Sequence, residues 1–431
     1  MKGLWKSNRW FHYNWAIIAG ACLAYACDAV SERSYPYVLP NMGSELGLSH
    51  GQMGQITAYY FITYAIMALV WGIIAYRIGH RKCIIIGQVI VAAGLFCMGF
   101  VNSSISGLLC YSMCAAGVAA QFVCTVALVS HWFEETKRGK VIGIMMAIFG
   151  IVTLALGFVT PLILGSLSWR WVWWIAVSIP VTSIVFWHFL VPDPSAKDFI
   201  LRRVEKEGSS VYPREGKNRS QRQKESKLIL KDIMMRKTTW NLVSIYFTWA
   251  LGFGCFMTFG VAYLQEVGWS VMVAARVFAI WGALSIPGPI VWGILADRLN
   301  KKNILMIVLM AQAIALYFFL NFGLVSRYAG ASIFGFAQPG TAVILASAIG
   351  DYYEPTVIGT AWGLLNLTVG IGLALGPAVG GYLADITGTL NTTILFGLGA
   401  IALSLILTLI LKKPSQDTVE VIYNKHDGDV M

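Results

Sequence analysis

Twelve long apolar stretches separated by short polar breaks make up most of this chain. A segment of about 20 apolar residues crosses the hydrocarbon core of a bilayer as a helix, and soluble domains do not contain twelve of them. The 431 residues are 57% hydrophobic and only 12% charged, against about 25% in an average soluble domain. The sequence therefore predicts an all-α integral membrane protein. Its spans fall at roughly 15–39, 54–76, 83–102, 105–131, 141–165, 170–191, 239–264, 271–297, 303–324, 329–350, 357–385 and 390–411.

The lysines and arginines fall on every second break. With the N-terminus inside, all but four of the 32 basic residues lie in segments on the cytoplasmic side. Such an excess of positive charge is typical of cytoplasmic segments. We therefore predict a multi-pass protein of the cell membrane with both termini in the cytoplasm. The net charge of +11 then reflects topology and attraction to anionic lipid, not nucleic-acid binding. The four exceptions, near the outer ends of spans, are Arg33, Arg170, Arg276 and Arg327.

One long polar segment divides the spans into two sets of six, and the two sets repeat. WGIIAYRIGHRK at 71–82 matches WGILADRLNKKN at 292–303 with an offset of 221 residues, and LALG occurs at 154–157 and at 373–376. Duplicated helical halves are a common plan for transporters, whose substrate site lies near the midplane where the halves meet. The predicted parts are an N-terminal half at 1–191, a cytoplasmic linker at 192–238, a C-terminal half at 239–411 and a cytoplasmic tail at 412–431.

The repeated segment resembles the signature loop of the major facilitator superfamily, G-x-x-x-D-R-x-x-[RK]-[RK]. The resemblance covers about residues 10–412 and implies twelve transmembrane helices in two pseudo-symmetric halves. It also implies that the loops act as gates. Asp297 with Arg298 is expected to pair across helices and lock the cytoplasmic side of one conformer, whereas Tyr76 in the first copy predicts a weaker latch. The gating residues of the two copies are Gly72, Arg77, Arg81, Gly293, Asp297 and Arg298.

Residues 38–72 resemble the organic-anion branches of that superfamily, which include anion:cation symporters and oxalate/formate-type exchangers. Those symporters usually carry an Asp-Arg pair in span 1, and the nearest match here is Glu32-Arg33, while Asp28 stands alone. The GPxxGG pattern of drug/proton antiporters is absent from span 5. The resemblance thus implies a small organic anion as substrate.

Span 1 carries the richest set of polar residues. Tyr25, Asp28 and Glu32 lie on one helical stripe, and Asp28 lies about 20 Å along the helix from Trp15, just beyond the midplane. A charge there costs about 2.5–3.5 kcal/mol and is therefore usually functional. We expect Asp28 to couple protonation to transport, with Glu32 as a second candidate. The alternative is a structural hydrogen bond to a neighbouring helix.

Arg33 is a candidate anchor for the substrate, because a guanidinium group binds a carboxylate through two hydrogen bonds. The alternative is that Arg33 extends to the outer interface or pairs with Glu32 or Asp28. Arg276 in span 8 presents the same choice. Uncharged candidates for the cavity, each of which can equally serve helix packing, are Gln121, Trp281, Gln338 and Asn366.

The sequence contains no P-loop, HExxH, GxSxG or clustered metal ligands, so we expect neither an enzyme nor a cofactor. The favoured interpretation is a monomeric secondary transporter in the lipid bilayer. It would move a small organic anion by alternating access, with a proton as co-substrate or in exchange for a counter-anion. Two alternatives remain: an exporter of drugs or cationic compounds with the same fold, and a non-transporting membrane receptor or sensor.

Overall fold

The computed structural model describes residues 2–133, 135–191, 233–321, 323–353 and 357–411, and its regular elements are α-helices. The predicted linker, except residues 233–238, and the predicted tail at 412–431 lie outside these ranges. The helices are α1 Lys2–Leu46, α2 His50–Ile78, α3 His80–Met98, α4 Ser104–Trp132, α5 Glu135–Ser166, α6 Arg170–Ala176, α7 Ser178–Phe189, α8 Lys237–Glu266, α9 Val271–Ser285, α10 Gly288–Arg298, α11 Lys301–Leu320, α12 Leu324–Tyr352, α13 Ile358–Thr387 and α14 Asn391–Ile410.

The helices confirm the predicted all-α membrane fold. In the described part of the chain, 11 spans are long and apolar enough to cross a bilayer, with α6 and α7 together forming one of them. The number rises to 12 when α9 and α10, which meet at an angle of 41°, are counted as one bent span. The bend lies at Ile286 and Pro287, where proline cannot donate a backbone hydrogen bond.

The first helix is longer than the predicted span 15–39. It ends at Leu46 and contains Pro36 and Pro40. A proline removes one backbone hydrogen bond, but neighbouring helices can keep a transmembrane helix continuous through it. The prolines therefore lie within α1 and do not end it.

Two carboxylates related by the 221-residue offset confirm that the halves are built alike. Glu45, at the end of α1, accepts hydrogen bonds from the indole of Trp169 at 2.7 Å and from the Arg170 guanidinium. Glu266, at the end of α8, accepts hydrogen bonds from the hydroxyl of Thr389 at 2.6 Å and from the Leu390 backbone at 2.9 Å. In each half, the carboxylate thus joins the end of the first span to the start of the sixth.

A second pair with the same offset lies at the opposite end. The Arg81 guanidinium donates a hydrogen bond to the carbonyl of His188 at 2.7 Å, and the Lys302 ammonium donates one to the carbonyl of Leu411 at 2.6 Å. Cations are stabilised by the unpaired carbonyls at helix C-termini. Each signature loop thus holds the end of the sixth span of its own half.

The two halves meet along α5 and α9 and diverge toward one end. Gly143, Gly150 and Gly157 repeat every seven residues on one face of α5. A methyl group on Gly157 would lie 2.5 Å from the Cβ of Ala279, and one on Gly150 would lie 2.7 Å from the carbonyl oxygen of Gly282. A methyl group on Gly143 would meet no atom of the described residues within 4 Å. The gap between α5 and the other half therefore opens toward Gly143.

The same gradient appears where α13 packs on α2. A methyl group on Gly54 would overlap the carbonyl of Pro377, whereas one on Gly370 would lie 3.5 Å from the Cβ of Ala65. At Gly363, two turns further along α13, the methyl group would meet no described atom within 4 Å. The bundle is thus closed at the end where α1 meets α2, and open at the end that carries the signature loops.

Candidate functional site

A buried polar cluster lies on α1 where the two halves face each other. Asp28 is 3% exposed and Arg33 is 9% exposed. Arg33 Nη2 lies 3.1 Å from Glu32 Oε1, and this ion pair is itself mostly buried. Asp28 precedes Glu32 by about one helical turn and therefore lies on the same side of α1. The structure therefore brings together the three charged residues of span 1 that the sequence singles out.

The guanidinium of Arg33 is surrounded by aromatic rings from both halves. Its Cζ lies 4.9 Å from the ring centroid of Trp281 on α9, 5.8 Å from that of Phe253 on α8 and 5.6 Å from that of Phe149 on α5. Cation–π attraction holds a guanidinium over such rings without occupying its N–H groups. Arg33 is thus positioned by these rings and by Glu32, and the rings occupy none of its N–H groups.

Several polar atoms of this cluster lack a partner. Arg33 Nε and Nη1, Asp28 Oδ1 and the hydroxyl of Tyr25 are buried and make no hydrogen bond within the described ranges. The indole nitrogen of Trp281 is likewise buried and makes no hydrogen bond within those ranges. Leaving buried donors unpaired is costly, so the free N–H groups of the Arg33 guanidinium indicate a place for an anionic ligand. Nε–H and Nη1 point to different sides of the guanidinium, and a carboxylate oxygen can accept a charge-assisted hydrogen bond from either of them.

Tyrosines fix the position of α1 around the cluster. The hydroxyl of Tyr111 on α4 donates to the carbonyls of Ser31 and Glu32 at 3.4 and 3.3 Å. The hydroxyl of Tyr37 donates to the carbonyl of Thr153 on α5 at 2.9 Å. The α1 backbone is therefore tied to α4 and α5 on both sides of Arg33. Tyr25 sits one turn before Asp28, with its ring edge-on to Phe149 at 6.1 Å.

The remaining predicted cavity residues lie further away or make helix contacts. Gln121 is buried and donates to the carbonyl of Ile84 on α3 at 3.1 Å, so its amide faces α3. Arg276 is exposed, and Asn366 is exposed and donates to a carbonyl of its own helix. Gln338 is partly exposed, one turn from Phe334 on the same face of α12. Of these predicted residues, Trp281 is the one that contacts Arg33.

Most of the gating residues, which lie at the open end of the bundle, have no partner among the described residues. Asp297, Arg298 and Arg77 are exposed and make no ion pair or hydrogen bond with any residue that the structure describes. Methyl groups on Gly72 and Gly293 would meet little or nothing within 4 Å. The pairing expected for Asp297 is therefore not present in this conformation, and its place in the other conformer stays a prediction.

The sequence model of the Major Facilitator Superfamily matches residues 21–334 and 291–424. The chain belongs to the Major Facilitator Superfamily. It is therefore a multi-pass membrane transporter and not an enzyme. The predicted superfamily and its fold of two six-helix halves are thus confirmed, and the gating role of the repeated loop stays a prediction.

Superfamily relatives of known name match over most of the chain. The probable sulfoacetate transporter SauU of Cupriavidus necator is 22% identical over 93% of this chain and 95% of its own length. The hexuronate transporter of Bacillus subtilis is 23% identical over 88% and 89%. The benzoate transport protein of Acinetobacter baylyi is 22% identical over 87% and 84%.

Solved structures share the fold. The nucleoside transporter NupG superposes with a TM-score of 0.75 at 14% identity, covering 92% of this chain and 100% of that one. A bacterial homologue of the human lysosomal transporter Spinster, in an inward-facing and occupied conformation, gives a TM-score of 0.70 at 16% identity, with coverages of 93% and 95%.

Sequence reasoning missed two of the rings around Arg33. Phe253 lies 221 residues after Glu32, at the equivalent position of the second half, so the repeat contains the signal that identifies it. Phe149 stands one residue before Gly150 of the repeated glycine motif, but nothing in its local sequence distinguishes it from the other apolar residues of span 5.

Proposed function

We propose that this transporter moves a small organic anion together with a proton, with Arg33 as the anion anchor and Asp28 as the proton carrier. The observation that carries the proposal is the pair of buried, unpartnered nitrogens on the Arg33 guanidinium. They lie among aromatic rings from both halves. The relatives named for sulfoacetate, hexuronate and benzoate support an anionic substrate.

Charge balance favours coupling to a proton. With both carboxylates ionised, the cluster of Asp28, Glu32 and Arg33 carries one net negative charge. An anion bound to Arg33 would raise that charge to two in a buried site, and uncompensated buried charge is strongly unfavourable. Protonation of Asp28, whose Oδ1 has no hydrogen-bond partner, would restore the charge of the empty site. Anion and proton would then bind together and leave together.

The divergence of the halves supports alternating access. The cluster lies between a closed end, where Gly54 packs on Pro377, and an open end, where Gly143 and Gly363 face no described neighbour. With the cytoplasmic termini that the basic residues predict, this is an inward-open conformation in the plasma membrane. One chain supplies every ring around Arg33, so we propose that the monomer is the functional unit.

Uptake into proteoliposomes tests the coupling mode. Proton symport requires that an inside-alkaline pH gradient drive accumulation of a labelled carboxylate above its equilibrium level, and that a protonophore abolish the accumulation. Exchange instead requires uptake that depends on anion preloaded inside the vesicles and is insensitive to the protonophore. Binding without flux under either condition would contradict a transport role and favour a receptor.

A second candidate function is export of an organic cation. The specific observation in its favour is that two carboxylates accompany one arginine in the cluster, so the cluster itself attracts positive charge. The same vesicles distinguish the two proposals. A cation exporter would release a preloaded labelled cation when the pH gradient is imposed and would take up no carboxylate.

A further inference from the structure

The two walls of the site differ in chemistry although they occupy equivalent positions of the repeat. Adding 221 residues to Tyr25, Asp28 and Glu32 of α1 gives Tyr246, Trp249 and Phe253 of α8. The carboxylates of the first half are thus replaced by rings in the second. One wall of the site carries the charges, and the other is aromatic.

The aromatic wall is a continuous stack. Tyr246 and Trp249 have ring centroids 5.3 Å apart at an interplanar angle of 26°, and Trp249 and Phe253 are 5.3 Å apart at 19°. Phe253 continues to Phe334 of α12 at 6.3 Å and 24°, and meets Trp281 edge-on at 6.2 Å. Phe253 is therefore the end of a nearly parallel stack, and Trp281 stands across it on the side of Arg33, so both rings have fixed orientations that another flat ring can meet by stacking or edge-on.

The aromatic wall offers few partners for a substrate with many hydroxyl groups, because the unpartnered oxygens of the cluster lie on α1 and the buried unpaired donor that the wall presents within the described ranges is Trp281 Nε1. Gln312 lies beside Trp249, and both ends of its amide already have hydrogen-bond partners. Its oxygen accepts from Trp249 Nε1 at 2.8 Å, and its nitrogen donates to Thr341 at 2.8 Å. A sugar acid or hydroxy diacid pressed against this wall would leave its hydroxyls unpaired, which a buried site penalises. The wall therefore selects against polyhydroxy acids.

The site also has one cationic anchor. Arg33 presents its free Nε and Nη1, whereas Arg276 is exposed and apart from the cluster. A second carboxylate would lie beside Asp28 and Glu32 and be repelled by them. The rings beside the guanidinium are also closely packed, since Trp281 is only 3% exposed and Phe253 only 5% exposed. These features together suit a flat ligand with one negative charge.

We infer that the substrate is a monocarboxylate on a planar aromatic or heteroaromatic ring, with its carboxylate on Arg33 and its ring against Trp281 and Phe253. This inference rests on the proposed anion transport. It adds the substrate class and assigns specificity to the aromatic wall.

Calorimetry on the purified protein, paired with uptake into proteoliposomes, tests the inference with four probes: benzoate, cyclohexanecarboxylate, glucuronate and tartrate. Benzoate and cyclohexanecarboxylate share charge and ring size and differ in planarity. We expect benzoate to bind about tenfold more tightly, equivalent to about 1.4 kcal/mol. We expect glucuronate and tartrate not to compete with labelled benzoate.

Variants separate an aromatic contact from a structural role. Phe253→Leu and Trp281→Leu are expected to weaken benzoate binding by about tenfold and cyclohexanecarboxylate binding by less than about twofold. Phe158→Leu, on a ring that is 55% exposed on α5, is the matched control and is expected to change the binding of neither acid.

Equal losses of affinity for both acids would overturn the role of the wall. Uptake of glucuronate or tartrate in preference to benzoate would overturn the substrate class and leave anion transport standing. Uptake of no anion would overturn both.

Discussion

The carboxylate of Asp385, near the end of α13, accepts a hydrogen bond from the hydroxyl of Ser49, the residue before α2, with 2.7 Å between the two oxygens. It also accepts from the backbone N–H groups of His50 and Gly51 at 2.8 and 2.9 Å. The N–H groups of a first helical turn have no partner within the helix, and a negative charge is stabilised there. Because α2 and α13 belong to different halves, this cap joins the halves at their closed end.

Asp385→Ala is therefore expected to favour opening of the closed end. Loss of a cap costs about 0.5–2 kcal/mol, which shifts the balance between conformers by about 2- to 30-fold. Electron–electron distance measurements between spin labels at Asn102 and Asn391, which are exposed at this end of the two halves, would show a larger population of long distances. Glu266→Ala is the control, since Glu266 caps within one half. The same shift in that variant would contradict a specific role for Asp385.

Gly143 and Gly150 are expected to respond differently to enlargement. Gly150→Leu would overlap Gly282 in this conformation and should lower the thermal stability of the purified protein. Gly143 is exposed, and a Cβ there meets no described atom within 4 Å, so Gly143→Leu should fold normally. It lies on the same face, however, and should block closure of the open end. We expect Gly143→Leu to retain substrate binding and to lose transport, as measured by calorimetry and vesicle uptake. Normal transport by Gly143→Leu would show that α5 does not approach the other half at that level.

The charged part of the site could be predicted from the sequence, but the packing around it could not. Asp28, Glu32 and Arg33 are conspicuous because charges are rare in an apolar helix. Gln121 is equally polar, yet its amide faces α3, because the face that a membrane-buried helix turns toward the cavity depends on packing. The contact of Asp385 with Ser49 joins distant parts of the chain, and nothing local in the sequence indicates it. The fold was predictable because the repeat and the spans depend on composition along the chain.

Arg33 and Arg276 are the two arginines that the sequence offers as anion anchors, and the structure places only Arg33 in the buried cluster. Arg33→Gln is expected to weaken carboxylate binding by about 10- to 150-fold, because hydrogen bonds to charged groups contribute about 1.5–3 kcal/mol. Arg33→Lys retains the charge but loses the second donor direction, and should give an intermediate loss. Calorimetric titration with benzoate measures both. A loss confined to Arg276→Gln would assign the anchor to α9 instead.

Asp28→Asn separates proton coupling from substrate binding. The amide keeps the size of the side chain but cannot take up and release a proton, so a pH gradient should no longer drive accumulation of the anion. Exchange of labelled for unlabelled anion at equal pH needs no net proton movement and should persist. Glu32→Gln is the informative comparison, because Glu32 already forms the ion pair with Arg33 at 3.1 Å. Loss of the Glu32 carboxylate should change the affinity for the anion, whereas a pH gradient should still drive accumulation of the anion. If Glu32→Gln abolished gradient-driven uptake while Asp28→Asn did not, the proton would be carried by Glu32, and the ion pair with Arg33 would have to break in each transport cycle.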